Sequence, residues 1–271
     1  MPFTLSHPAA VLPLLRHPFS AAALVAGAVA PDLPYFARST PIPVSAQSWY
    51  EPFMNATTSH GLVGAVTVSL PYAVALWVLY LIARPPVVAL LPDVVGPPVP
   101  ATTSGSVLLR RGGWVLLSLV IGIATHLVWD SFTHSDGWVV LNVPGLSTPL
   151  VGDLTWARAL QHASTVVGLV LIAWYLWRRR SRLLPDDAGR RPAARHQLLR
   201  LLWIVVGVAV VGAVASTLPS WPDAELPARQ VIESVLSTSA TGAGAALIAA
   251  LLLYVATWWV ARGVQASRQS R

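Results

Sequence analysis

The sequence predicts an all-α protein: a polytopic transmembrane helix bundle with five spans plus an N-terminal bent span or re-entrant hairpin. Three observations predict it. Of 271 residues, 55% are apolar and only 11% charged, where a soluble domain carries roughly a quarter charged residues. The apolar residues gather into runs of about 20, the length that crosses a hydrocarbon core roughly 30 Å thick. The arginines sit beside those runs, where charges mark topology rather than a nucleic-acid surface.

The first apolar segment, 9–31, is interrupted by Arg16 and His17, and Pro8, Pro13 and Pro18 each remove a backbone donor. It reads as a bent span or a hairpin. Five uninterrupted segments follow at 62–82, 113–129, 157–177, 198–218 and 240–260. Trp49, Trp114, Trp129, Trp156, Trp177 and Trp221 fall near their ends, where indoles prefer the membrane interface. The proline-rich stretch 85–100 reads as a loop, and 222–237, which mixes acids with Val and Leu, as a short interfacial helix. The last two spans hold no ionisable residue in their interiors and include Gly242 and Gly244, a composition suited to packing.

Orientation follows from the loop after Trp177, where Arg178, Arg179, Arg180, Arg182, Arg190, Arg191, Arg195 and Arg200 cluster. Short loops rich in Arg are cytoplasmic. Threading outward from it puts fourteen arginines on the cytoplasmic side and leaves Arg38, Arg158 and Arg229 outside, with Arg16 undecided. The expected organisation is a membrane domain over 1–177, an Arg-rich cytoplasmic loop over 178–197 and a two-helix membrane segment over 198–271. The protein is then a multi-pass component of a bacterial inner membrane with a cytoplasmic C-terminus. The first 15 residues have no basic stretch of the kind that opens a cleavable signal peptide.

Several functions lack their parts. There is no cysteine, which removes thiolate ligands and thiol nucleophiles and leaves His and carboxylates for any metal. No serine nucleophile elbow, phosphate-binding Walker loop or HExxH string occurs. The Arg-rich loop lacks the interleaved aromatics of a nucleic-acid surface.

The ionisable residues converge instead. On the threaded topology eight of eleven acids and four of seven histidines fall outside. Asp32 closes the first segment, His60 opens the second, and His126 and Asp130 end the third within THLVWDSFTHSDGW, with His134 and Asp136 beyond. Gln161 and His162 open the next span. His126 and Asp130 are four apart, so on a helix both project from one face about 5 to 6 Å apart at Cβ, a spacing that chelates one cation or makes an ordinary His–Asp hydrogen bond. Ionisable groups at membrane depth are expensive unless paired or ligated. Each residue also has a plainer use: Asp32 could cap a turn, His60 could face water near a helix start, and His162, His134, His17 and His196 could be solvated.

At these residues the chain resembles a bacterial integral membrane family called domain of unknown function 4184. The opening MPFTLSHPAAVLPLL, then APDLPYF, TTSHG, THLVWDSFTH and QHAS carry the resemblance in order over most of the first 170 residues. More loosely, the succession is similar to predicted membrane-bound metal-dependent hydrolases regulated with the DNA-damage response. That similarity implies His7, Asp32, His60, His126 and Asp130 as metal-binding positions. Those relatives tend to carry a second acid after Pro-Asp and a fuller string around the second histidine, whereas PDLP and TTSHG are shorter here. His7 also bears on the first segment: one span over 9–31 would part it from Asp32, and a hairpin turning near Arg16 would reunite them. Two arms of roughly ten residues descend about 15 Å, leaving Arg16 in need of water or a partner.

The expected function is therefore a metal-dependent hydrolase opening at the extracytoplasmic surface. Nitrogen and oxygen ligands without sulfur suggest Zn²⁺ first, with Mn²⁺ or Fe²⁺ as alternatives. Its water would attack an ester or phosphoester, with His134 or His162 as general acid. Location suggests a lipid or lipid-linked substrate in the bilayer and no nucleic acid. The alternatives are a cation- or proton-coupled transporter, for which two related halves with broken helices are not evident, and a non-catalytic scaffold held by polar glue.

Overall fold

The computed structural model describes residues 4–38, 42–90, 105–183, 192–221 and 227–269, and these are almost wholly helical. Among them five helices are long and apolar enough to cross a membrane: Leu62–Ala89, Val107–Thr133, Trp156–Arg179, His196–Thr217 and Gln230–Arg268. They match the five expected segments in order; four run past the end read for them, while His196–Thr217 stops one residue short of 218. Large apolar side chains such as Trp203, Val211 and Leu253 are exposed along them, as helices solvated by lipid require. By contact the chain forms two compact units, Met1–Tyr80 with Pro98–Arg180, and Leu81–Pro97 with Ser181–Arg271.

The first unit begins with a hairpin, which decides against a bent single span. Thr4–Leu14 is a 3₁₀ helix that accommodates Pro8 and Pro13. The chain turns over 15–20, and Ser20 caps α1 (Ala21–Val29) by accepting from the Ala23 N–H. A 3₁₀ turn (Ala30–Asp32) and α2 (Leu33–Arg38) complete the return. Both arms lie on α6 (Gly105–Thr133). α1 approaches α6 through Gly27 and Gly122, where a Cβ on either would run into backbone of the other helix.

The turn sits deep. The Ser20 N–H donates to Ser118 Oγ at 3.0 Å, and Phe19 packs edge-on against Trp114 with centroids 5.5 Å apart. Counted along α6 at 1.5 Å per residue, these contacts lie roughly 18 and 24 Å from Asp130. The hairpin outreaches the 15 Å expected of it because its first arm rises about 2.0 Å per residue. Arg16 is exposed at the tip of the hairpin.

After the hairpin, α3 (Ala56–His60) is capped by Asn55, whose side chain accepts from the Thr57 N–H. α4 (Leu62–Gly64), a π-helical turn (Ala65–Ser69) and α5 (Leu70–Ala89) form the span Leu62–Ala89. Beyond α6 come α7 (Trp138–Asn142), α8 (Pro144–Ser147), the short hairpin of β1 (Pro149–Val151) and β2 (Leu154–Thr155), and α9 (Trp156–Leu183).

In the second unit α10 (Pro192–Thr217) packs along α11 (Ala228–Gln269). Gly212 and Gly242 meet at the crossing, and Thr217 and Ser239 hydroxyls hydrogen-bond at 2.8 Å. Small residues let these helices approach, as their composition suggested.

Three local expectations change. Pro85 and Pro86 are not loop but part of α5, while 91–100 lie outside the described residues. Pro86 leaves the Ile82 carbonyl without its helical donor, and Trp259 Nε1–H supplies one at 3.1 Å; the Tyr254 hydroxyl donates to the Pro86 carbonyl at 2.8 Å. Residues 228–237 form no separate interfacial helix, being the first turns of the 42-residue α11; 222–226 lie outside the described residues. The Arg-rich loop is shortened from both ends, since α9 runs to Leu183 and α10 starts at Pro192.

Candidate metal centre

Four separate pieces of chain deliver the ionisable side chains. The 3₁₀ arm carries His7, the return of the hairpin Asp32, the last turn of α3 His60, and α6 both His126 and Asp130. Helical spacing puts His126 and Asp130 on one face, and the His126 Nε2 stands 3.1 Å from Asp130 Oδ2. The Gly27–Gly122 approach draws the hairpin onto that face. Ser59 then ties α3 to it, its buried hydroxyl donating to the Pro31 carbonyl at 2.6 Å. Ser69 Oγ in turn donates to the Ser59 carbonyl at 2.8 Å.

One ligand atom from each of Asp32, His60, His126 and Asp130 lies within 4.8 Å of all the others. His60 Nε2 is 3.2 Å from Asp130 Oδ2 and 3.5 Å from Asp32 Oδ1. His126 Nε2 is 3.5 Å from the same Asp32 oxygen. The two Nε2 atoms face each other at 3.3 Å. Ligand atoms about 2.1 Å from one tetrahedral ion stand roughly 3.4 Å apart, so this group could hold a metal ion.

The tautomers agree. His126 Nδ1 meets the Ala28 carbonyl at 2.7 Å and His60 Nδ1 the Ala56 carbonyl at 2.7 Å. A carbonyl only accepts, so both Nδ1 atoms carry hydrogen and both Nε2 atoms turn inward as lone pairs or as second N–H groups. Backbone partners of this kind orient metal-ligating histidines. Without an ion the alternative is an imidazolium–carboxylate network. Burial opposes charge on His60, but hydrogen bonds to Asp130 and Asp32 outweigh it and raise its pKa to about 10.

The His7 side chain is 1% exposed, stacks on His126 with centroids 3.8 Å apart, and places Nε2 3.5 Å from Asp130 Oδ1. Neither of its ring nitrogens has a hydrogen-bond partner, nor has Asp32 Oδ2. The hairpin therefore brings His7 and Asp32 to the same cluster. His134 joins at the edge, with Nδ1 3.4 Å from Asp130 Oδ1. His162 does not: it is exposed on α9 while its neighbour Gln161 is buried, because α9 turns the face of Gln161 and Gly168 inward, with Gly168 against Ser6. Asp136 is exposed beyond the helix end, as is His17 in the hairpin turn.

Residues 1–256 match the family described as Domain of unknown function (DUF4184). The chain belongs to that family. The match takes in every residue of the cluster, the whole first unit and most of the second, extending beyond the first 170 residues whose motifs suggested it. No curated protein and no solved structure matches this DUF4184 protein. Four participants were not singled out by the sequence, although Ser59 and Tyr35 lie within the quoted TTSHG and APDLPYF motifs. The carbonyls of Ala28 and Ala56 are backbone, Ser59 looks like any helix serine, and Tyr35, whose ring centroid is 6.3 Å from that of His60, reads as an interfacial aromatic.

Proposed function

We propose that this DUF4184 protein is a membrane-bound metal-dependent hydrolase, with Asp32, His60, His126 and Asp130 holding a divalent cation at the extracytoplasmic surface. The 3.3 Å approach of two inward Nε2 atoms carries the reading. As two imidazolium groups they would set like charges against each other, whereas one cation takes both lone pairs at that spacing. Two carboxylates balance its charge. Zn²⁺ suits this nitrogen and oxygen set, and Mn²⁺ or Fe²⁺ could replace it.

When bound, such an ion lowers the pKa of water toward neutrality and polarises an ester or phosphoester oxygen. The residues do the rest. The carbonyls of Ala28 and Ala56 hold the two imidazoles in register. Leu24, Val11 and Leu119, all buried, close the deep side against water. The His60 and His134 side chains are 22% and 21% exposed, so substrate enters at their edge. There His134 is the histidine placed to assist the leaving group, and His162 is not. Exposed Leu5 and Phe132 on elements that carry the cluster, and Leu62 and Val63 just after His60, favour an amphiphilic substrate, such as a phospholipid or lipid-linked phosphate.

The test is metal content by mass spectrometry of detergent-purified protein beside His126→Ala and Asp130→Ala, with helicity checked by circular dichroism. Bound transition metal in the parent, lost from folded variants, supports the reading and directs a screen of lipid phosphoesters. A metal-free parent after growth in supplemented medium without chelators overturns it. In that case the short His–Asp contacts of His60 and His126 support the second reading: a charge-balanced network that glues helices or relays protons.

A further inference from the structure

Asp130 has two carboxylate oxygens with different company. Oδ2 faces His60 and His126 at 3.2 and 3.1 Å. Oδ1 faces His7 Nε2 at 3.5 Å and His134 Nδ1 at 3.4 Å. These last three atoms are all buried, and none has a hydrogen-bond partner. Buried polar atoms are almost always partnered, so two orphaned nitrogens beside one orphaned carboxylate oxygen call for an occupant.

They also come from independent supports. His7 is fixed by its stacking on His126. The His134 N–H donates to the Asp130 carbonyl at 3.0 Å, which carries the helical turn one residue past α6 and keeps His134 on the stripe of His126 and Asp130. Neither residue belongs to the tight four-residue group, and both nitrogens approach the other oxygen of the shared carboxylate. Their spacing from Oδ1 is the edge of a tetrahedral ligand set. Carboxylates that join two metals, with ions about 3.5 to 4 Å apart, support in-line displacement at phosphorus.

We infer that Asp130 bridges two cation sites, and that His7, His134 and Asp130 Oδ1 hold a second divalent ion. The inference rests on the hydrolase reading and deepens it. It makes His134 a ligand on the leaving-group side. Two dications set against Asp32 and Asp130 leave a surplus positive charge, which suits a phosphate ester better than a neutral carboxylic ester.

The experiment counts ions in the full-length, detergent-purified protein. Metal equivalents are measured in the parent, His134→Ala and His7→Gln, and the same proteins loaded with Mn²⁺ are read by electron paramagnetic resonance. About two equivalents in the parent, falling to one in both variants with loss of an exchange-coupled signal, support the bridge. His134 is at the accessible edge, so its variant tests the site even if His7→Gln fails to fold. One equivalent in the parent, unchanged in His134→Ala, overturns the second site and leaves the first standing. Two equivalents retained in His134→Ala overturn this ligand assignment. None in the parent removes both sites together.

Discussion

Ser59 shows at the scale of one residue how a side chain without chemistry of its own governs a site. Its hydroxyl satisfies the Pro31 carbonyl, next to Asp32, while the following residue, His60, enters the cluster. Ser59→Ala leaves that buried carbonyl without a partner, at about 1 to 3 kcal/mol. The expected result is a melting temperature lowered by several degrees in detergent and weaker metal retention, measured by chelator competition. Unchanged retention would show that Asp32 and His60 are held by other means. Asp130→Asn tests the cluster more directly: an amide cannot balance a cation, so metal should fall at least tenfold while helicity persists. Full loading of Asp130→Asn would remove Asp130 from the ligands. His126 and Asp130 were legible from their helical spacing, as was their neighbour His134. His162 was not, because the sequence does not show which side of α9 packs inward.

Helix against helix, the decisive contact is that of α1 on α6. Gly27 and Gly122 admit backbone to backbone, so Gly122→Leu should drive the hairpin off α6 and destabilise the first unit by at least the 1 to 3 kcal/mol typical of overpacking. His7 and Asp32 would lose their places together. Limited proteolysis within the hairpin checks this, and a Gly122→Leu protein as resistant as the parent would refute it. The prolines of α5 make a milder case. Trp259→Phe removes the donor to the Ile82 carbonyl, and interhelical hydrogen bonds in membranes average about 0.6 kcal/mol. Its effect on unfolding should be far smaller than that of Gly122→Leu, and a larger one would mean that Trp259 matters by packing. Proline alone announced a break; the donor that heals it comes from a helix more than 170 residues away.

For the molecule as a whole, the distribution of arginines predicts the cluster outside and the C-terminus inside. The absence of cysteine makes this direct to check. Introduced at exposed Ser135 and Gln265, single cysteines should react with a membrane-impermeant thiol reagent on opposite sides, Ser135→Cys in intact cells and Gln265→Cys only after the inner membrane is opened. The reverse pattern would turn the cluster toward the cytoplasm and move its substrate with it.

The sequence by itself determined the solvent, the number and order of the long spans, and most of the residues that meet in the cluster. These follow from composition and from periods of three to four residues, which are local properties. Only the tertiary structure decided that residues 4–32 form a hairpin, that Nε2 atoms from α3 and α6 converge, and that Asp130 has a different pair of histidines at each oxygen. Those outcomes depend on which helix faces meet and how closely. Backbone carbonyls and missing Cβ atoms decide them, and neither announces its partner along the chain.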